Sequence, residues 1–184
     1  MGVLTRAIRA AWNEVSKPET FVKGDEFEGY IRKHLFPHDD YDLLERTHDY
    51  TSNKNDFVES SKEPDFKFRS RKNGKVFFVE AKYRSVFFEG LIEWCKPYQL
   101  TRYETINRET PVYIVTGVGN LPSSPEHVFL VPVKHIKYPR LFRSFLRDYE
   151  VSRDRCVSAE KLLGLLLNNS QMKMRPAKRD RSAD

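Results

Sequence analysis

Asp65, Glu80 and Lys82 are the residues whose types and spacing point most directly to chemistry. They lie in PDFKFRSRKNGKVFFVEAKYR, residues 64–84, where two β-prone runs flank Asn73-Gly74. That dipeptide between such runs is the strongest short signal for a hairpin. A two-residue loop there sets Lys72 opposite Lys75 and carries Asp65 opposite Lys82. Glu80 and Lys82 share a face by the strand's period of two, so all three side chains project from one side of one ribbon. In that register the Asp65 and Lys82 Cβ atoms would be about 5 Å apart, with Asp65 and Glu80 diagonal neighbours at about 7 Å. Two carboxylates so placed can converge on a hard cation. A lysine beside them can hold or polarise a water, or neutralise charge building on a phosphate. An ordinary Asp65–Lys82 salt bridge with Glu80 at the strand edge accounts for the same residues without any reaction.

The elements around this ribbon must position it. Val76 to Val79 are apolar on both faces, the mark of a buried central strand, so the charges that follow form either an internal ion pair or a site. Residues 3–14 carry apolar positions near helical spacing. Pro18 opens a second helix with Phe21, Phe27, Tyr30, Ile31 and Leu35 on its apolar positions and Pro37 beyond its end. A strand is expected over Tyr41 to Arg46, an exposed polar loop over Asp49 to Lys62, and a helix from Pro97 to about Arg108. Two apolar strands follow at 111–118 and 127–133, then a basic helix over 134–149. Ser158 then caps a leucine-rich helix ending near Leu167. Leu162, Leu163, Leu165, Leu166 and Leu167 nearly encircle that helix, so it must be buried in this chain or against another copy. Mixed strand order with one crossover helix predicts an α/β sheet covered by helices.

Composition narrows the classes. The chain has 184 residues, 39% of them hydrophobic and 13% aromatic, enough for a real core and too much for a mainly disordered protein. A single domain over 1–170 is expected, with residues 171–184 as a flexible basic tail. That tail holds five Lys/Arg and two Asp, so it supplies half of the net +6 and leaves the body only mildly basic. Such a balance suits nucleic acid without requiring it. Apolar runs are far short of a membrane span, the N-terminal segment makes a poor signal peptide, and Cys95 and Cys156 are too few for a disulfide framework. A soluble cytoplasmic protein is the expectation. The five histidines show no HExxH pattern, and neither GxxxxGK[ST] nor GxSxG occurs.

Pro64-Asp65 followed by Glu80-Ala81-Lys82 resembles the PD-(D/E)xK nuclease superfamily. Gly24-Asp25-Glu26-Phe27-Glu28 looks like that family's first core helix, with Glu28 the best match for its glutamate and Glu26 the next. Gln99 and Tyr103 resemble a Gln-x-x-x-Tyr pair on the helix after the lysine. The resemblance runs from about Lys23 to Val118. It implies a restriction-endonuclease-like fold: a mixed four- or five-stranded central sheet flanked by helices, here with C-terminal helices added. It also implies Mg²⁺-dependent phosphodiester hydrolysis, with Mn²⁺ able to substitute. Asp65 and Glu80 would be the main metal ligands, Ala81 would offer its carbonyl, and Glu28 would complete a second position or bind a metal-held water. Lys82 would orient or help deprotonate the attacking water, and Gln99 would hold a phosphate or steady the lysine. Tyr103, Arg102, Lys137 and Arg140 are the candidates for substrate contact. The expected partner is double-stranded or branched DNA, and a homodimer would suit cutting both strands. An RNA-processing nuclease, or an inert nucleic-acid-binding or assembly module of the same fold, fits the same residues.

Overall fold

The computed structural model describes residues 19–47 and 63–167, and its elements follow the apolar patterning of the chain. Helix α1 (Glu19–Tyr30) runs into a π-helical turn (Ile31–Leu35), then strand β1 (Tyr41–Arg46). Strands β2 (Phe66–Ser70), β3 (Val76–Arg84) and β4 (Leu91–Glu93) precede helix α2 (Pro97–Ile106). After it come β5 (Val112–Val118), β6 (His127–Pro132), β7 (Arg140–Phe142), the short helix α3 (Arg143–Leu146) and helix α4 (Ala159–Leu167). Five strands form one mixed sheet in the order β1-β2-β3-β5-β6. β3 and β5 are parallel and the other neighbours antiparallel. Parallel neighbours need a crossover, and the β3–β5 connection contains α2.

Helices cover both faces, which is why the middle strands are mainly apolar. Every residue of β5 is buried. On one face, Phe77, Val79, Ala81 and Tyr83 of β3 meet α1 and the turn after it. Phe27 packs on Tyr83 with ring centroids 5.8 Å apart, and Phe36 packs on Phe77 at 5.4 Å. Tyr113 extends this face to α4, its hydroxyl donating to the Leu162 carbonyl at 2.9 Å. The opposite face of β3 carries Phe78, Glu80 and Lys82, and α2 lies over it. Gly117 of β5 lets Phe27 settle: a Cβ built there would meet the Phe27 Cε2 atom at 2.3 Å. Fully burying side chains such as Ile114, Leu130 and Val115 contributes roughly 1.5–3 kcal/mol each.

Several expectations are met and others corrected. Tyr41–Arg46 is the strand the sequence predicts, and Ser158 caps α4, its Oγ accepting the Lys161 N–H at 3.2 Å. Residues 134–149 are not one helix. A 3-10 turn (Val133–His135) is followed by β7, α3 and a further 3-10 turn (Arg147–Tyr149). Pro139 interrupts the helical pattern, and its carbonyl instead accepts the Trp94 N–H at 3.0 Å. The chain beyond it pairs with β4, Leu91 against Phe142, making a two-stranded ribbon outside the main sheet. The leucines of α4 are not all covered: Leu162 and Leu165 are buried, whereas Leu167 is 77% exposed. Phe21 is likewise exposed. Residues 3–14, 49–62 and 171–184 lie outside the described residues. Among the described residues no helix is long and apolar enough to cross a membrane.

Candidate active site

The turn between β2 and β3 fixes the register of the ribbon, and it is longer than the Asn-Gly pair alone implies. Ser70 donates its N–H to the Lys75 carbonyl at 2.9 Å, and Gly74 donates to the Ser70 carbonyl at 2.8 Å. The Asn73 side chain accepts the Lys75 N–H at 3.0 Å. Gly74 has φ 68°, the left-handed conformation that glycine adopts without steric cost. Arg71 to Gly74 therefore form the loop, and the register is Phe66 to Val79 and Phe68 to Phe77. One step beyond, Asp65 stands across from Glu80, and Lys82 becomes its diagonal neighbour. This corrects the expected Asp65–Lys82 opposition. The slip is by two residues, not one, so every side chain keeps its face and the three still share one side.

Each member is then held. Asp65 ends the ribbon just before β2, with its Oδ2 accepting the Ala81 N–H at 2.7 Å. Thr47, one residue past β1, braces the same point: its N–H donates to the Asp65 carbonyl at 2.9 Å and its hydroxyl to the Pro64 carbonyl at 3.0 Å. Glu80 is 2% exposed and has both carboxylate oxygens engaged. Lys82 Nζ lies 2.5 Å from Oε1, and the Tyr103 hydroxyl donates to Oε2 at 2.7 Å. The salt bridge therefore runs along β3 to Glu80, not across the ribbon to Asp65. Tyr103 is fixed in turn by Trp94, whose ring stacks on it at 6.1 Å, and by Arg102, whose guanidinium lies 5.2 Å from its ring centre.

The electrostatics follow from two carboxylates near one ammonium. Burial raises the Asp65 pKa well above the usual carboxylate value and the charge of Glu80 raises it further; Lys82 and the Ala81 N–H oppose the shift, and Glu28 adds to it. Burial pulls the Lys82 ammonium down, but Glu80 and Asp65 outweigh it and its pKa is raised. With both carboxylates beside it, the Lys82 ammonium is held in its charged form. Burial, then Glu80, pushes the Tyr103 hydroxyl far above an ordinary phenol, so it remains a donor.

The other sequence candidates fall into three groups. Glu28 on α1 is at the edge of the site, close enough to weigh on Asp65, and Arg46 donates to it from Nε at 3.1 Å and from Nη2 at 2.8 Å. Glu26 lies on the exposed side of the same helix. Gln99 is used otherwise than expected: its Oε1 accepts the Lys96 N–H at 2.9 Å and closes a capping box at the start of α2. Tyr103, a candidate for substrate contact, has its hydroxyl on the Glu80 carboxylate. Lys137 and Arg140 lie apart, lining a cleft of about 1130 Å³ beside the β4–β7 ribbon. Sequence reasoning missed Arg46, Thr47 and Trp94, because nothing in their local pattern marks them as supports of a site.

A hard cation is compatible with this donor set. Asp65 and Glu80 repel one another in a partly dry setting, a conflict that a positive ion between them relieves, and Mg²⁺ commonly rests on one or two carboxylates with water and phosphate. Among the described residues no group of three or more His, Cys, Asp or Glu side chains is arranged to hold a metal, so any such ion depends on these two carboxylates, the Ala81 carbonyl and water. No protein-family model matches the chain, and no curated protein matches it.

Proposed function

We propose that the protein is a metal-dependent nuclease of the PD-(D/E)xK type, acting on DNA. The observation that supports this most directly is the paired Asp65 and Glu80 on one face of the β2–β3 ribbon, with Lys82 held against Glu80 at 2.5 Å. Asp65, Glu80 and the Ala81 carbonyl would hold Mg²⁺ or Mn²⁺. Such an ion lowers the pKa of a bound water and offsets charge on the attacking and leaving oxygens of a phosphodiester. Lys82 would orient the water or help deprotonate it, and would offset charge growing on the phosphate. Tyr103 fixes the Glu80 carboxylate so that its direction is set before substrate arrives. Glu28, held by Arg46, adds negative potential at the edge of the site. Arg102, Lys137 and Arg140 contact substrate phosphates on this reading.

The test is a panel of linear duplex, nicked circle, single strand, four-way junction, flap and RNA, incubated with Mg²⁺ or Mn²⁺ beside Asp65→Ala. Cleavage of at least one DNA by wild type and none by the variant is the expected result. Equal cleavage by both proteins removes the proposal. A second reading, an inert nucleic-acid-binding or assembly module, is favoured by one observation: both Glu80 oxygens are already occupied by Lys82 and Tyr103. Calorimetry separates the two, since an inert module has no Mg²⁺ or Mn²⁺ binding that depends on Asp65.

A further inference from the structure

The cleft that holds Lys137 and Arg140 has a chemistry of its own. Of its lining side chains four are lysine or arginine and one, Glu93, is acidic. Glu93 is already neutralised, by Lys96 at 2.7 Å and by Arg140 at 3.4 Å. The lining therefore carries a net positive charge on a largely apolar surface, and Lys137 stands exposed on it. Two large rings share this lining and are turned to solvent, Tyr138 at 71% and Phe142 at 60% exposure. Cations alone would suit any polyanion. Exposed rings set among cations suit a polyanion that also offers flat faces, and unpaired nucleobases do so while paired ones keep theirs stacked inside a duplex. An acidic peptide would leave the rings without a partner.

Asp65, Glu80 and Lys82 do not line the cleft, but its wall is tied to their strand. Arg84, two residues after Lys82 in β3, donates to the Glu93 carbonyl at 2.7 Å. Cys95 lies in the cleft wall and its thiol, pushed up to about 12 chiefly by burial, responds as well to the charges of Glu80 and Lys82.

We propose that this cleft binds a single-stranded stretch of nucleic acid, with bases stacked on Tyr138 and Phe142 and phosphates against Lys137 and Arg140. Its continuity with a strand cut at Asp65 and Glu80 rests on the nuclease reading; the binding itself does not.

Binding is measured by fluorescence anisotropy in EDTA, so that no cutting intervenes. The probes are a fluorescein-labelled oligothymidine, a blunt duplex of equal length and an oligoglutamate peptide. Wild type is expected to bind the oligothymidine more tightly than either of the others. The Tyr138→Ala/Phe142→Ala double variant is expected to lose about tenfold or more on the oligothymidine. Lys137→Ala is expected to lower the slope of log affinity against log salt by about 0.7, as for one lost contact to a single-strand phosphate. Lys33→Ala, an exposed charge outside the cleft, is expected to change neither. Both rings are exposed, so their loss leaves the core intact, and a thermal melt of each variant verifies folding. Unchanged oligothymidine affinity in the folded double variant overturns the proposal, as does oligoglutamate binding as tight as oligothymidine. Ring-dependent binding by a protein that cuts nothing upholds the cleft and removes the nuclease. Asp65-dependent cutting with ring-independent binding does the reverse.

Discussion

The Asp65 carboxylate accepts the Ala81 N–H at 2.7 Å, taking the place of a backbone partner where the β2–β3 ladder ends. The bond holds an acid beside Glu80, against the repulsion of two carboxylates on one face. Asp65 therefore takes up its proton at higher pH in the folded chain than in the unfolded one. The folded state binds more protons over that interval, so the stability Asp65 contributes is complete below the ordinary value of about 3.9 and is lost as pH rises through the raised one. Asp65→Asn keeps the acceptor for Ala81 and removes the charge. In metal-free buffer at pH 8 the Asn variant is expected to melt a few degrees above wild type, the scale on which about 1 kcal/mol acts in a domain of this size. The gap should close as pH falls towards about 4. Identical melting curves at pH 8 would show that the two carboxylates do not strain the fold.

A divalent ion between those carboxylates stabilises the folded chain by mass action. At Mg²⁺ a hundredfold above its dissociation constant the gain is about 2.7 kcal/mol. Differential scanning calorimetry should show the wild-type Tm rising with Mg²⁺ while that of Asp65→Asn stays level. A parallel rise in both proteins would place the ion elsewhere.

Lys82 and Glu80 form a unit. With Lys82→Met, the Glu80 charge stays buried with Tyr103 as its remaining partner, and breaking a buried pair in this way costs about 3–5 kcal/mol. Adding Glu80→Gln should recover most of that loss, since the double variant buries no unpaired charge. Both proteins should be without nuclease activity. Denaturant unfolding of the four proteins in the cycle measures the coupling. Additive losses would mean that the 2.5 Å contact carries no stabilisation.

Tyr103→Phe removes the donor to Glu80 and little else. A hydrogen bond to a charged group is worth about 1.5–3 kcal/mol, and that loss is expected in urea unfolding. Cleavage should fall by about tenfold to a hundredfold through a misdirected carboxylate. Tyr103 acts through Glu80, so the weakened Mg²⁺ dependence of the rate should accompany the fall. A slower enzyme with unaltered Mg²⁺ dependence would assign the tyrosine a structural role only.

Gly117→Ala tests the close approach of α1 to the sheet. The new methyl would lie 2.3 Å from the Phe27 ring, which is itself wedged by Tyr30 and Tyr83. Overpacking of this kind costs about 1–3 kcal/mol. A melt unchanged from wild type would mean that α1 can shift outward freely.

Local patterning in the sequence was sufficient for the strands and helices whose apolar period is long. It placed β1, β2, β3, β5 and β6, the α2 crossover and the capped α4, and it put Asp65, Glu80 and Lys82 on one face. That face assignment survived an error in the turn because a shift of two residues preserves the pleat. The loop length itself was not legible, since it depends on how Ser70 and Lys75 close around Gly74. β4 and β7 were not legible either: three residues are too few to show a period, and each is a strand only because the other pairs with it. Tertiary structure alone decided which partner each charge received. It gave Glu80 the Lys82 ammonium and the Tyr103 hydroxyl, gave Glu28 to Arg46, and turned Gln99 into a helix cap. It also gathered Lys137, Tyr138, Arg140 and Phe142 along one cleft, because Pro139 prevents a helix there and sends the chain back to pair with β4.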